Sequence, residues 1–230
     1  MQRNKISVIV PTLNEEANLG RLLERLAGEE GLEVIVSDGG STDRTGEIAR
    51  EWGVTLVNGP AGRGRQLNQG IEASSAEILL FLHADSDWEK GLFDEVRQAV
   101  TDDQAWGCCT LRFSENTLFF RLVAAGSNLR VRLFSSCYGD QGIYCSRRLL
   151  AQAGGFPETP FMEDLILSSR LRRISRAGRL KSVMVTSTRR FRKHGPLRTL
   201  LKMQTVKLLY LLGVPLSKLI NFYEGRGKRA

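Results

Sequence analysis

Paired cysteines are missing from this sequence. Cys108, Cys109, Cys137 and Cys145 show neither C-x-x-C spacing nor the density of a secreted disulfide scaffold, so buried reduced thiols are expected. Long apolar runs are missing as well. Ile6 to Val10 is too short for a signal core and ends in Pro11, and Leu208 to Leu216 falls well short of the ~20 residues that a membrane span requires. A cytoplasmic chain without spanning helices is the expectation. There is also no G-x-x-x-x-G-K-[ST] loop, and no G-x-G-x-x-G opens the first helix. Triphosphatase and dinucleotide-binding readings lose support accordingly. Internal repeats and linkers are absent too.

What is present fits one substantial α/β domain over residues 1–230. The length of 230 residues is enough for a single core, and 42% apolar content is enough to offset ordering entropy. The formal charge of +8 predicts attraction to something anionic. The cations are skewed toward the C-terminal third, where Arg170, Arg172, Arg173, Arg176, Arg179, Lys181, Arg189, Arg190, Arg192, Lys193, Arg198, Lys202 and Lys207 crowd into one stretch.

Strands and helices alternate through the first half. The β-branched run Ile6 to Val10 predicts a buried strand stopped by Pro11, after which Asn14 caps a helix carrying Leu19, Leu22, Leu23 and Leu26. Strands over Glu33–Ser37, Val54–Val57 and Ile78–Leu82 follow, with a helix over Thr42–Trp52 and a shorter one through Leu67 and Ile71. A glycine-rich, basic loop over Gly59–Gly64 lies between them. Repeated strand-helix-strand units imply a mostly parallel sheet with right-handed crossovers. Regular alternation then fades: a helix to Val100, a strand over Cys108–Phe113, a helix over Thr117–Phe134, a helix over Glu163–Ala177 and a strand over Lys181–Thr186 are expected.

Ligands of open α/β sheets bind beyond the carboxyl ends of the strands, where strand order reverses. Three of the first four strands end at polar clusters: Pro11-Thr12-Leu13-Asn14-Glu15, Asp38, and His83-Ala84-Asp85-Ser86-Asp87. Each alone reads equally as turn chemistry; together they can line one crevice. Asp85 and Asp87 supply hard oxygens suited to Mg²⁺ or Mn²⁺, and His83 could orient Asp85. Arg63 and Arg65 place guanidinium forks, which suit phosphate, in the flexible loop. Glu163 and Asp164 open a helix, either as dipole partners or with Asp164 taking a proton from an acceptor hydroxyl.

Read in order, Val8-Ile9-Val10-Pro11-Thr12-Leu13-Asn14-Glu15-Glu16, Val36-Ser37-Asp38-Gly39-Gly40-Ser41-Thr42-Asp43, Leu80-Phe81-Leu82-His83-Ala84-Asp85, Gly155-Phe156 and Glu163-Asp164 resemble the family 2 glycosyltransferases over roughly residues 5–175. The resemblance implies the GT-A fold, a three-layer α/β/α arrangement, with a nucleotide-sugar donor and an inverting displacement. It places Pro11, Asn14 and Glu15 at the nucleotide, Asp38 at base or ribose, Asp85 on the metal, and Asp164 as base with Glu163 beside it. The full donor-binding set is Pro11, Thr12, Asn14, Glu15, Asp38, Gly40, Arg63, Arg65, Asn68, His83, Ala84 and Asp85.

Two departures stand out. His83 occupies the first position of the family's common Asp-x-Asp, and Asp38-Gly39-Gly40-Ser41 replaces its Asp-Asp-Gly-Ser, so metal binding rests on Asp85. Both variants resemble a small bacterial branch with a His-Ala-Asp motif, often associated with carotenoid or lipid-linked acceptors. Tyr138 to Gly142 resembles that branch too, which puts Gly139, Asp140 and Gln141 at the acceptor pocket. His194 falls where many GT-A enzymes supply a late metal ligand.

The expected organisation is a nucleotide-sugar half over 1–100, an acceptor half over 101–190 and a basic, apolar helix over 195–223. That helix can pack on the core, on a second subunit in a homodimer, or in a membrane interface at the inner face. The reaction expected is transfer of a UDP-linked sugar to a lipid or isoprenoid hydroxyl with Mn²⁺ or Mg²⁺, and no nucleic-acid partner. The rivals are a sugar-phosphate nucleotidyltransferase and a non-catalytic, membrane-docking anion binder.

Overall fold

The β-branched run at the start forms β1 (Ile6–Thr12), with Ile6 to Val10 buried in succession. The structure is a computed structural model describing residues 5–102 and 105–224; residues 1–4 and 225–230 of the expected 1–230 domain lie outside it. The strand continues through Pro11 to Thr12 rather than stopping. Ile9 bonds toward the neighbouring strand β4 (Ile78–Phe81) through its carbonyl, and the last β1–β4 pair is Ile9↔Phe81. Pro11, two residues on, therefore faces a side where the ladder has ended and no N–H is needed.

α1 (Glu16–Ala27) buries Leu19, Leu22, Leu23 and Leu26 along one stripe. Asn14 does not cap it, contrary to expectation. Asn14 adopts φ 55 and its Oδ1 accepts the Thr42 N–H at 2.9 Å. The open N–H groups of Glu15 and Glu16 go instead to Thr45 Oγ1 and Asp43 Oδ2. Residues 41–45 thus cap α1 from across the crevice.

β2 (Leu32–Asp38), α2 (Thr45–Glu51), β3 (Thr55–Asn58) and α3 (Arg63–Glu72) complete a parallel half ordered β3-β2-β1-β4. α3 begins at Arg63. Arg63 and Arg65 therefore sit on its first turn and not in the glycine-rich loop. Beyond β4 come β5 (Asp87–Trp88), α4 (Leu92–Ala99), β6 (Trp106–Phe113), α5 (Leu118–Phe134), a 3-10 turn (Gly139–Gln141), β7 (Ile143–Ser146), α6 (Arg147–Gln152), α7 (Glu163–Leu171) and β8 (Gly178–Thr186). β5, β7 and α6 are too short to carry a readable period, and α7 ends six residues before the expected Ala177. The sheet order is β3-β2-β1-β4-β7-β6-β8-β5, with β4–β7, β6–β7 and β5–β8 antiparallel and the remaining pairs parallel.

The sheet separates two cores. Ile6, Val8 and Val10 of β1 point to the layer of α1, α2 and α4, whereas Ile9 points to the layer holding Leu67 of α3 and Leu167 of α7. Burial on both faces makes each of these aliphatic side chains worth ~1.5–3 kcal/mol. All four cysteines are buried free thiols, as expected. The chain ends in α8 (Arg189–His194), α9 (Pro196–Leu211) and α10 (Leu216–Glu224). The single helix expected over 195–223 is broken at Gly213, which has φ +85, and at Pro215.

Candidate active site

Strand order reverses between β1 and β4, and the carboxyl ends of these strands open into a cavity. Pro11, Arg63, His83, Gly139, Glu163 and Asp164 all line it, over a floor of Leu67, Phe81, Ile143 and Phe156. Pro11, His83, Phe156, Glu163 and Asp164, from four of the five motifs, thus come together with Arg63 and Gly139, whereas Asp38 and Asp85 do not line this cavity. Two close approaches hold the wall together. Gly64 packs so tightly that a Cβ there would lie 2.2 Å from the Pro157 carbonyl oxygen. Asn68 clasps the Phe156 backbone, accepting its N–H at 2.9 Å and donating to its carbonyl at 2.8 Å. Asn68 thereby acts on the loop leading to Glu163, and both its amide atoms are occupied by that contact.

Glu163 and Asp164 start α7 but face different surroundings. Glu163 is buried and receives Arg63 Nη1 at 3.2 Å. Burial and the Asp164 charge push its carboxyl upward, against the pull of Arg63. Asp164 is held at both oxygens: Oδ2 accepts the Gly139 N–H at 2.8 Å and Oδ1 accepts the Leu165 N–H at 2.7 Å. Gly139 lies between this carboxylate and His83, since a Cβ there would be 2.8 Å from His83 Nε2 and 3.7 Å from Asp164 Oδ2. Enclosure and the Arg63 guanidinium push the His83 imidazole down to about 3, so it is neutral at pH 7.

The donor-side loop is built around Asp38. Its Oδ2 accepts the Gly40 and Ser41 N–H groups, while its Oδ1 accepts from Thr12 Oγ1 and Ser41 Oγ. Gly40 takes φ +86 in this turn, a conformation few other residues tolerate. Gln66 fastens the same region by donating to the Thr12 and Ser37 carbonyls. Glu15 accepts from Asn18 Nδ2 at 2.7 Å. Arg65 pairs with Glu158 at 3.1 Å on the outer rim. The Ala84 methyl belongs to the core under α1, away from the cavity floor.

The two acidic residues after β4 behave differently. Asp87 pairs with Arg25, whose guanidinium also lies over the Trp88 ring, and this draws Asp87 out of the crevice. Asp85 has no hydrogen bond or ion pair among the described residues. A partly buried carboxylate left unengaged at a strand end suits a hard cation that takes one protein oxygen and fills its remaining positions from phosphate and water. His194 is exposed at the end of α8. Among the described residues no cluster of three or more His, Cys, Asp or Glu is placed to hold a metal.

Across the cavity, Asp140 and Gln141 turn inward from the 3-10 turn. Burial and the neighbouring Asp164 push the Asp140 carboxyl upward. Gln141 is fully buried, with Oε1 accepting from Arg130 Nη2 at 2.6 Å. Asp140 Oδ1 and Gln141 Nε2 are buried without hydrogen-bond partners. Arg130 of α5 and Lys207 of α9 both lie over the Tyr138 ring, at 3.2 and 4.3 Å from its centroid. Burial and Arg130 lower Lys207 to about 8. The sequence reading does not distinguish Arg130 and Lys207 from the other cations.

Residues 7–148 match the model of Glycosyl transferase family 2. Among curated relatives, 4,4'-diaponeurosporenoate glycosyltransferase of Staphylococcus haemolyticus is 38% identical over 89 residues, 35% of this chain and 24% of that protein. Probable glycosyltransferase YdaM of Bacillus subtilis is 24% identical over 195 residues, 73% of this chain and 46% of its own length. The chain thus spans less than half of these relatives. Among solved structures, TarS residues 1–349 of S. aureus in complex with UDP-GlcNAc superposes at TM-score 0.62 and 19% identity, covering 80% of this chain and 58% of that one. The mannosyltransferase PcManGT of Pyrobaculum calidifontis, in complex with GDP-Man and Mn²⁺, superposes at TM-score 0.61 and 22% identity, covering 79% and 56%. The fold is GT-A, and the chain belongs to glycosyl transferase family 2.

Proposed function

We propose that this chain transfers a hexosyl group from a nucleoside-diphosphate sugar, UDP-linked, to an acceptor hydroxyl in one inverting step. The observation that carries the reading is Asp164. Its carboxylate lines the cavity at the strand-order reversal and is fixed by the Gly139 and Leu165 N–H groups, so one orientation is set before any substrate arrives. In this reading residues 1–100 hold the donor and 101–190 the acceptor.

Asp164 accepts the hydroxyl proton as the acceptor oxygen forms its bond to the sugar C1. The bond from C1 to the diphosphate oxygen breaks on the opposite face, and the nucleoside diphosphate leaves with that electron pair. Glu163 acts by fixing Arg63, which spans from α3 to α7. Neutral His83 supports the Gly139 turn that holds Asp164. A divalent cation, Mn²⁺ or Mg²⁺, held by Asp85 and the donor's phosphates would neutralise charge on the departing diphosphate. The relative named 4,4'-diaponeurosporenoate glycosyltransferase supports an apolar, lipid-like acceptor.

Asp164→Asn tests the reading, because the amide oxygen can still accept the Gly139 N–H while proton uptake is lost. With Mn²⁺ and a panel of UDP- and GDP-sugars, turnover should fall by roughly 10²–10⁴-fold in a chain that still folds, its melting temperature lower by only a few degrees for the acceptor lost at the Leu165 N–H. Retention of the full rate would remove Asp164 from the mechanism.

A further inference from the structure

From Leu165 to Tyr223 the sequence holds no aspartate or glutamate, yet it carries 14 lysines and arginines. The remaining residues hold 19 Lys and Arg against 25 Asp and Glu, so the excess positive charge of the whole chain comes from this one segment. It includes α8, α9 and most of α10. α5, which lies outside the segment, also lacks acidic residues and carries Arg121, Arg130 and Arg132.

Two of these helices present the same pattern to solvent. On α5, Leu118, Leu122, Leu129 and Leu133 are each more than half exposed. On α9 and its C-terminal cap, Leu197, Leu201, Leu208 and Leu212 are as exposed, with identical spacing. At 3.6 residues per turn, each set falls within an arc of about 60°. The buried residues Phe120, Ala124 and Val131 of α5, and Thr199 and Val206 of α9, occupy the opposite sides of their helices. Each leucine stripe therefore points outward and away from the core.

The helices are neighbours. Phe119, Phe120, Val123 and Ala124 of α5 share one apolar cluster with Leu200 and Met203 of α9, and Arg130 and Lys207 meet over Tyr138 at the cavity. Exposed cations flank the stripes: Arg121 and Arg132 on α5, Arg198 on α9 and Lys193 on α8. Exposed leucine rows bordered by cations, with no acid among them, match the chemistry of a bilayer with anionic headgroups.

We propose that the outward faces of α5 and α9 dock this chain on an anionic lipid bilayer, with the Tyr138–Gln141 side of the cavity nearest the membrane. A second copy of the chain fits less well. A two-fold interface would set this patch against itself and bring its cations together with no carboxylate in α5, α8 or α9 to pair them. The inference stands independently of the donor chemistry, because it concerns a surface outside the residues that bind or transfer the sugar.

Vesicle sedimentation with the full chain tests it, using vesicles of phosphatidylcholine alone and of phosphatidylcholine with phosphatidylglycerol. Binding should be at least ~tenfold tighter to the anionic vesicles and should weaken as salt is added. The pairs Leu122→Glu with Leu129→Glu, and Leu201→Glu with Leu208→Glu, should each lower it by at least ~tenfold. Thermal melting checks that these exposed replacements leave the fold intact. Trp52→Glu, at an exposed site beside α2, should leave binding unchanged. Absence of vesicle binding, or binding indifferent to both leucine pairs, would overturn the proposal. So would a dimer seen in sedimentation velocity that the same leucine pairs dissociate, since that would assign the face to a second copy.

Discussion

Gly64 offers the sharpest test of how the cavity is held, because a single methyl group separates a fitted wall from a displaced one. An alanine Cβ would meet the Pro157 carbonyl oxygen at 2.2 Å, where ordinary contact begins at 3.4 Å, so α3 and the turn must part by about 1 Å. Both sides are backbone, and no side-chain rotation relieves the clash. Overpacking of this kind costs about 1–3 kcal/mol, a fall of roughly 2–12 °C in Tm for a chain of this size. The parted surfaces carry Arg63 on one side and the run to Glu163 and Asp164 on the other, so the Arg63–Glu163 pair stretches from 3.2 Å. Displacement by about 1 Å at a reacting group lowers turnover by roughly 10²-fold. Calorimetric melting and donor turnover with Mn²⁺ are the assays. Gly126→Ala is the matched control: it lies in α5 with nothing within 4 Å, and should stabilise by about 0.5–1 kcal/mol without changing turnover. A Gly64→Ala protein with unchanged Tm would refute the close contact. One with lowered Tm but full turnover would refute its role in setting the carboxylates.

Further outcomes follow from the same geometry. Asn68→Ala removes two hydrogen bonds to the Phe156 backbone and should cost about 1–3 kcal/mol by chemical denaturation, with turnover reduced alongside. The His83 imidazole, pushed down to about 3, should show a neutral ring by ¹⁵N NMR from pH 8 to pH 5. The unfolded chain takes up that proton near pH 6.5 and the folded chain only near 3, so stability attributable to His83 is complete above 6.5 and is lost as pH falls through this window. A His83 ring that titrates near 6.5 in the folded protein would show that it is solvated.

The parts legible in the sequence were those with local periodicity or a strand end to mark them. β1, α1, β4 and α5 follow from branched runs and leucine spacing, and the convergence of Pro11, His83, Glu163 and Asp164 follows from topology once the strands are parallel. β7 was not legible, because four residues carry no period and its pairing with β4 and β6 is set by tertiary contact. Asn14 misled for a related reason. Asparagine caps helices and also enters the left-handed region, and here the Thr42 N–H across the crevice decided between the two. Lys207 reached the site through the packing of α9 beside Tyr138, which no spacing within its own helix reveals.

The central claim is the proposed metal-assisted nucleotide-sugar site, in which Asp85 is the carboxylate that would hold the metal. Calorimetric titration of UDP- and GDP-sugars into the full chain, with Mn²⁺ and with chelator, measures it directly. Donor binding should weaken at least ~tenfold on chelation, and Asp85→Ala should abolish that metal dependence at unchanged Tm. No donor bound by the folded chain, or an Asp85→Ala protein that binds donor with the original dependence on Mn²⁺, would contradict the account.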